Sequence, residues 1–199
     1  MKLIWTFNSQ GGNDIIRLNS TKITIINYYI LSITKAKKLG YHTIIYTNMT
    51  EPFVGIADEV IKVEIVEDST VWVNLKLNVL EIRDDDFCLI DPDVILSKKL
   101  PEFDDGIMFD TYEVGNWERE YRKQIEQLKN LGIEEVFDIW DSKRRPVINC
   151  GILYIKSNIL KQEFVQTWKK YRDWLRNNTT KDIIDIDSAQ MIGEEYILT

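Results

Sequence analysis

The sequence predicts an α/β domain in which helices cover both faces of a mixed, mainly parallel sheet. Three observations carry this. Strand-like and helical runs alternate along the first half of the chain and mix in the second, the order in which crossover units build a parallel sheet. Residues 87–90 (FCLI) are apolar without alternation, as central strands covered on both faces are. The chain of 199 residues has no internal repeat, low-complexity tract or linker, so one domain with a sizeable core is expected.

Residues 3–8 form a short apolar run, and residues 9–14 (SQGGND) a loop. Ser20 is placed to cap a helix that keeps Ile26, Tyr29, Ile30, Ile33 and Ala36 on one face and stops at Gly40. Residues 41–47 (YHTIIYT) are β-branched and aromatic, a strand, and residues 58–66 (DEVIKVEIV) alternate as a second, partly exposed one. Residues 71–83 (VWVNLKLNVLEIR) fit both periods. Val71, Val73, Leu75, Leu77 and Val79 alternate, whereas Trp72, Leu75, Val79 and Ile82 share a helical stripe; the length and the polar end favour helix. Strands follow at residues 87–90 and 106–111 (GIMFDT), then a highly charged helix over residues 117–131 that ends at Gly132. Residues 147–156 (VINCGILYIK) read as a strand, and residues 159–177 as a long amphipathic helix with Phe164, Trp168, Tyr171 and Leu175 on one face. A last helix begins near Asp187.

A net charge of -7 argues against a dedicated nucleic-acid binder, which needs a basic face to displace counterions. It leaves room for an anionic ligand whose charge a metal ion offsets. The two cysteines, Cys88 and Cys150, sit in apolar strand runs, form no disulfide framework and lack metal-ligand spacing. Buried, reduced thiols and a cytoplasmic location are expected. No run of about 18 apolar residues exists for a transmembrane segment.

The informative stretch is residues 84–96 (DDDFCLIDPDVIL), where two carboxylates flank a proline between apolar runs. Charges within a doubly covered strand cost several kcal/mol each unless paired or bound to a cation. Proline forfeits a ladder hydrogen bond and is confined to edges and strand ends. Asp91-Pro92-Asp93 is therefore expected where the strand emerges at its C-terminal edge, which is where ligands bind in open α/β sheets. Two readings stand. Asp-Pro-Asp is good turn chemistry. With a bend, Asp91 and Asp93 also suit Mn2+ or Mg2+ bound together with a substrate's phosphates.

In order and spacing the chain resembles the nucleotide-sugar-dependent glycosyltransferases of the GT-A fold. The residues that carry the likeness are the opening strand LIWTFN, Trp72 and Lys76 on a helix before the acid pair, FCLIDPDVIL as an apolar run, Asp-x-Asp and apolar run, and residues 148–156 (INCGILYIK). Asp187-Ser188-Ala189-Gln190 resembles a later helix start of the same family. The resemblance covers most of the chain. It implies a GT-A-like, Rossmann-like domain, alone or as part of a longer protein, that moves sugar from a UDP- or GDP-sugar to a glycan or protein acceptor. Under it, Thr6, Phe7 and Asn8 border the nucleoside; Lys76, Asp91 and Pro92 face the diphosphate; Asn149 and Gly151 border the sugar; Asp91 and Asp93 hold the metal. Asp187 is the catalytic carboxylate it implies, with Asp110 and Glu113 behind it, although an N-cap role for Asp187 reads equally well. Asn149 can equally satisfy a strand end. The chain departs from the family in lacking a late histidine to serve as third metal ligand: its one histidine is His42, read as structural.

Three other readings compete. A phosphatase of the haloacid-dehalogenase type also ends a strand in Asp-x-Asp, with the first Asp as nucleophile, but there the motif closes the first strand. A sugar-1-phosphate nucleotidyltransferase would use a glycine-rich loop, which residues 11–18 (GGNDIIRL) echo without the further glycine and basic residue. A non-catalytic sugar-nucleotide binding module is the third.

Overall fold

The structure is a computed structural model, and it describes residues 1–8, 15–18, 21–64, 72–113, 122–137, 147–179, 189 and 192–194. In chain order the elements are β1 (Lys2–Phe7), β2 (Ile15–Leu18), β3 (Thr21–Thr24), α1 (Ile25–Lys38), β4 (His42–Thr47), β5 (Glu59–Lys62), α2 (Trp72–Ile82), β6 (Phe87–Ile90), β7 (Ile107–Glu113), α3 (Arg122–Asn130), β8 (Val147–Ile155) and α4 (Asn158–Asn178). They fall into two compact units, Met1–Met108 with Gly151–Lys156, and Phe109–Cys150 with Ser157–Thr199.

The six-stranded sheet has the order β5-β4-β1-β6-β8-β7. It is mixed and mostly parallel, as the alternation of elements predicts. β1 pairs in parallel with β4 on one side and β6 on the other, and β4 pairs in parallel with β5. β6 and β8 are antiparallel, with Leu89 opposite Leu153 and Ile90 opposite Ile152.

Alternation along these strands divides the first unit's core. Leu3, Trp5, Phe7, Ile45, Cys88 and Ile90 face α1 and bury Tyr29, Ile33 and Ala36 together with Phe53. The rings of Phe7, Tyr29 and Phe53 meet edge to face, with centroids 5.0 to 6.0 Å apart, the arrangement that aromatic quadrupoles favour. On the opposite face lie Ile4, Ile44 and Leu89. There α2 packs against β1, and Arg83, which follows it, donates to Tyr46 Oη at 2.9 Å. The ambiguous run is thus a helix, with Leu75, Leu77, Val79 and Leu80 buried. Both cysteines are buried thiols outside any disulfide.

The start of α1 differs from the expectation. The helix begins at Ile25 with Thr24 as its cap, and residues 21–24 are extended, paired antiparallel with β2. Thr21, Ile23 and Thr24 are β-branched, a residue type that favours strands, so a strand forms where the Ser20 cap reading expects the start of the helix. Ser20 lies outside the described residues. The helix stops as expected, with Gly40 at φ +83°. β5 is shorter than the alternating run: Val63 N makes a last bond to Thr47 O of β4 at 2.9 Å, and residues 65–66 lie outside the described residues. β7 runs two residues past the predicted strand.

In the second unit, α4 is capped by Ser157, whose side chain accepts from Leu160 N. It buries Phe164, Trp168, Tyr171 and Leu175, the stripe read from sequence. Tyr171 Oη donates to Ala189 O at 2.5 Å, and a Cβ on Gly193 would run into the Tyr171 ring. α3 is described from Arg122 to Asn130, and Gly132 follows its end at φ +82°; the expected start near Trp117 lies outside the described residues. Among the described residues no helix is long and apolar enough to cross a membrane.

One carboxylate ties three elements of the sheet's N-terminal edge. Asp58, just before β5, accepts from Thr43 N and Thr43 Oγ1 of β4, both at 2.9 Å, and pairs with Lys37 of α1 at 2.9 Å. Burial alone would raise its pKa, but the bonds from Lys37 and Thr43 outweigh burial and hold it at about 2. A folded pKa below the unfolded value contributes stability above the unfolded pKa, and that contribution is lost as pH falls through the folded one. Asp58→Ala is expected to cost about 1–3 kcal/mol at pH 7 by urea unfolding. The gap to wild type should narrow as pH falls from 3.8 toward about 2; a gap constant with pH would contradict this account.

A candidate functional site at the end of the central strands

β6 ends where the proline argument places it. Ile90 is its last residue, and Asp91 N donates to Gly151 O at 2.8 Å. Pro92 has no N–H to continue the ladder. Val94 N donates back to Asp91 O at 3.1 Å and closes a turn with Asp first and Pro second, the residues such turns prefer. Because β6 is parallel to β1, this turn lies at the sheet edge where β1 also ends.

The two acids are not equivalent. Asp91 keeps only 18% of its side chain exposed, and its Oδ1 lies 3.0 Å from Lys76 Nζ. Lys76, on α2, is 1% exposed. An ammonium so buried requires a partner of opposite charge. Asp93 points outward and is exposed. From α1, buried Tyr29 donates its hydroxyl to Thr6 O at 2.7 Å. Its phenol is pushed far above its ordinary pKa, first by burial, then by the charge of Asp91, with Asp93 adding to this and Lys76 opposing it. Tyr29 is thus a neutral donor within electrostatic reach of both carboxylates.

The other predicted residues are distributed as follows. Thr6 is buried at the end of β1, and Phe7 commits its ring to the core cluster. Asn8, next in the chain, is half-buried. Pro92 is half-buried in the turn, and Gly151 faces Asp91 across the ladder. Asn149 lies two residues before Gly151 on β8, half-buried, and belongs to the second unit. Asp110 is exposed on β7. Asp187 lies outside the described residues, as do the side chains of Trp72 and Glu113. His42 begins β4 at the opposite edge of the sheet, where its Nε2 lies 2.6 Å from Glu59 Oε1. Tyr29 escaped the sequence reading because its helical stripe marks it only as core.

Among the described residues no group of three or more His, Cys, Asp or Glu could hold a metal ion. One exposed carboxylate beside one ion-paired carboxylate does not make a protein-only cage. It does fit Mn2+ or Mg2+ that draws its remaining ligands from a bound phosphate and from water, the usual mode of Mg2+ in phosphate sites.

A scan against protein-family models and a search of the curated proteins each found no match.

Removing one member of a buried pair strands the other. Lys76→Met is expected to lower stability by about 3 kcal/mol, and adding Asp91→Asn to it should recover part of that loss. Asp93→Asn should stay within about 0.5 kcal/mol of wild type. Urea unfolding at pH 7 checks all three, and equal costs for Lys76→Met and Asp93→Asn would refute the inner and outer assignment.

Proposed function

We propose that the protein is a divalent-metal-dependent glycosyltransferase that takes its sugar from a nucleoside-diphosphate donor and works in the cytoplasm. The observation that carries the reading is the Asp91-Pro92-Asp93 turn at the C-terminal edge of an apolar central strand, its inner acid pinned to a buried lysine. The GT-A-like resemblance of the chain supports the same reading, and its net negative charge leaves room for it, since a bound cation would offset the charge of an anionic ligand locally.

Each residue has a role in this proposal. Lys76 holds Asp91 in place, so the turn presents a fixed carboxylate rather than a mobile one. Asp93 supplies the outward charge that takes the cation. A bound Mn2+ or Mg2+ would neutralise charge building on the departing diphosphate. Thr6, Phe7 and Asn8, at the end of β1, border the nucleoside, with the Phe7 ring serving from within the core. Gly151, across the ladder from Asp91, borders the sugar. The phosphatase reading draws no support from topology, because the acid pair follows β6 and not β1.

Titration of UDP, GDP and their sugars with and without Mn2+, followed by melting, tests the proposal. A hundredfold excess over Kd adds about 2.7 kcal/mol, roughly 5–10 °C for a chain of this size. The rise is expected for one nucleoside diphosphate, only with metal, and is expected to vanish in Asp93→Ala. A rise that survives Asp93→Ala, or a phosphoenzyme trapped on Asp91 with phosphate monoesters, would overturn it.

A further inference from the structure

The turn that carries the two acids is fastened from α1 by a side chain outside the acid pair. Ser32 lies in the middle of that helix and is 1% exposed. A serine inside a helix ordinarily turns its hydroxyl to solvent or back to its own helix. Here Oγ donates to Val94 O at 2.6 Å and accepts from Trp5 Nε1 at 3.0 Å. Trp5 is fully buried on β1. The relay therefore runs from the central strand through α1 to the end of the turn.

The turn is consequently fixed at both ends and across its middle. Asp91 N is bonded to Gly151 O, Val94 N to Asp91 O, and Val94 O to Ser32. Asp93, being exposed, takes its position from the backbone on either side of it. Pro92 holds its own φ near one value on the first side; on the other side Val94 N is held by Asp91 O, and Val94 O, one peptide further on, by Ser32. Without the Ser32 bond the Val94–Ile95 peptide loses its hold, and the end of the turn that carries Asp93 can shift with it. Ligand sites lose affinity when a supporting bond lets a ligating group drift by about 0.5 Å.

We propose that Ser32 is a positioning residue that sets Asp93 for cation binding by holding the Val94 carbonyl. This rests on the reading of the acid pair as a metal–diphosphate site. Trp5 orients the hydroxyl: by occupying its acceptor side, the indole N–H leaves the serine proton for Val94.

The experiment compares wild type with S32A, the near-isosteric S32C and S32T, all checked by melting to be folded at the working temperature. A thiol is a weak donor, so S32C keeps the packing and loses the hold, while S32T keeps the hydroxyl. One arm reads amide exchange at Val94, whose N–H is bonded to Asp91 O, and needs no ligand. The other reads the Kd of Mn2+ with UDP and with GDP. Exchange at that amide is expected to rise on the order of tenfold in S32A and S32C, and Kd to weaken by a similar factor, with S32T close to wild type. A loss of global stability alone would speed exchange throughout the sheet and leave Kd of the folded protein unchanged. Exchange equal in all four proteins overturns the anchoring role, and a Kd unaffected by S32A and S32C overturns the positioning role. If wild type binds neither Mn2+–nucleotide pair, the site reading falls with it, while the exchange arm still decides whether Ser32 holds the turn.

Discussion

A buried lysine meeting a carboxylate at the end of a strand is the interaction on which the rest of the first unit depends. An ammonium removed from water costs several kcal/mol unless a partner stands within contact distance. Lys76 has that partner in Asp91, which limits where both elements can lie. α2 must run along β1 on the face away from α1, and β6 must end at that level of the sheet. A shift of β6 by one residue would turn Asp91 to the other face and leave the lysine facing apolar groups. The pair is therefore also a register lock.

The two faces of the sheet then divide the work. The α1 face holds the rings of Phe7, Tyr29 and Phe53 and is almost wholly apolar. Its few polar groups, Tyr29 Oη and Ser32 Oγ, bond to Thr6 O and Val94 O near the ends of β1 and β6. The α2 face carries the ionic group. The Ser32 hydrogen bond from one side and the Lys76 charge from the other meet on the turn, at Val94 and Asp91. This explains how a short, proline-containing turn can be an ordered platform at the edge of a sheet.

Much of this was legible in the sequence, because the deciding physics was local. Pro92 has no N–H, so β6 had to end before it, and it does. The Phe164, Trp168, Tyr171 and Leu175 stripe had one periodic reading, and the helix follows it. Local evidence misled at residues 21–24, where β-branched side chains compete with a helical stripe and pairing with β2 decides. The fastening of the turn was illegible for a different reason. Ser32 and Val94 are 62 residues apart and Tyr29 and Thr6 are 23 apart, and neither spacing leaves a mark on any window. Lys76 was legible as a basic residue before the acid pair, but its burial was not, since lysine defaults to solvent.

The proline's position also explains why two chemically identical acids come to differ. In an extended strand, residues two apart share a face and stand roughly 7 Å from each other. The apolar, β-branched residues at 94 and 95 would favour continuing that strand. Both carboxylates would then be drawn into the same covered layer, with one lysine between them. By ending the ladder after Asp91, Pro92 turns the chain so that the first acid stays beneath the surface with Lys76 and the second emerges. Asp93 is thereby left exposed beside an ion pair whose charges offset each other. The asymmetry of the Asp-Pro-Asp triplet is thus a product of the backbone, which seats the inner acid against Lys76 and leaves the outer one in water.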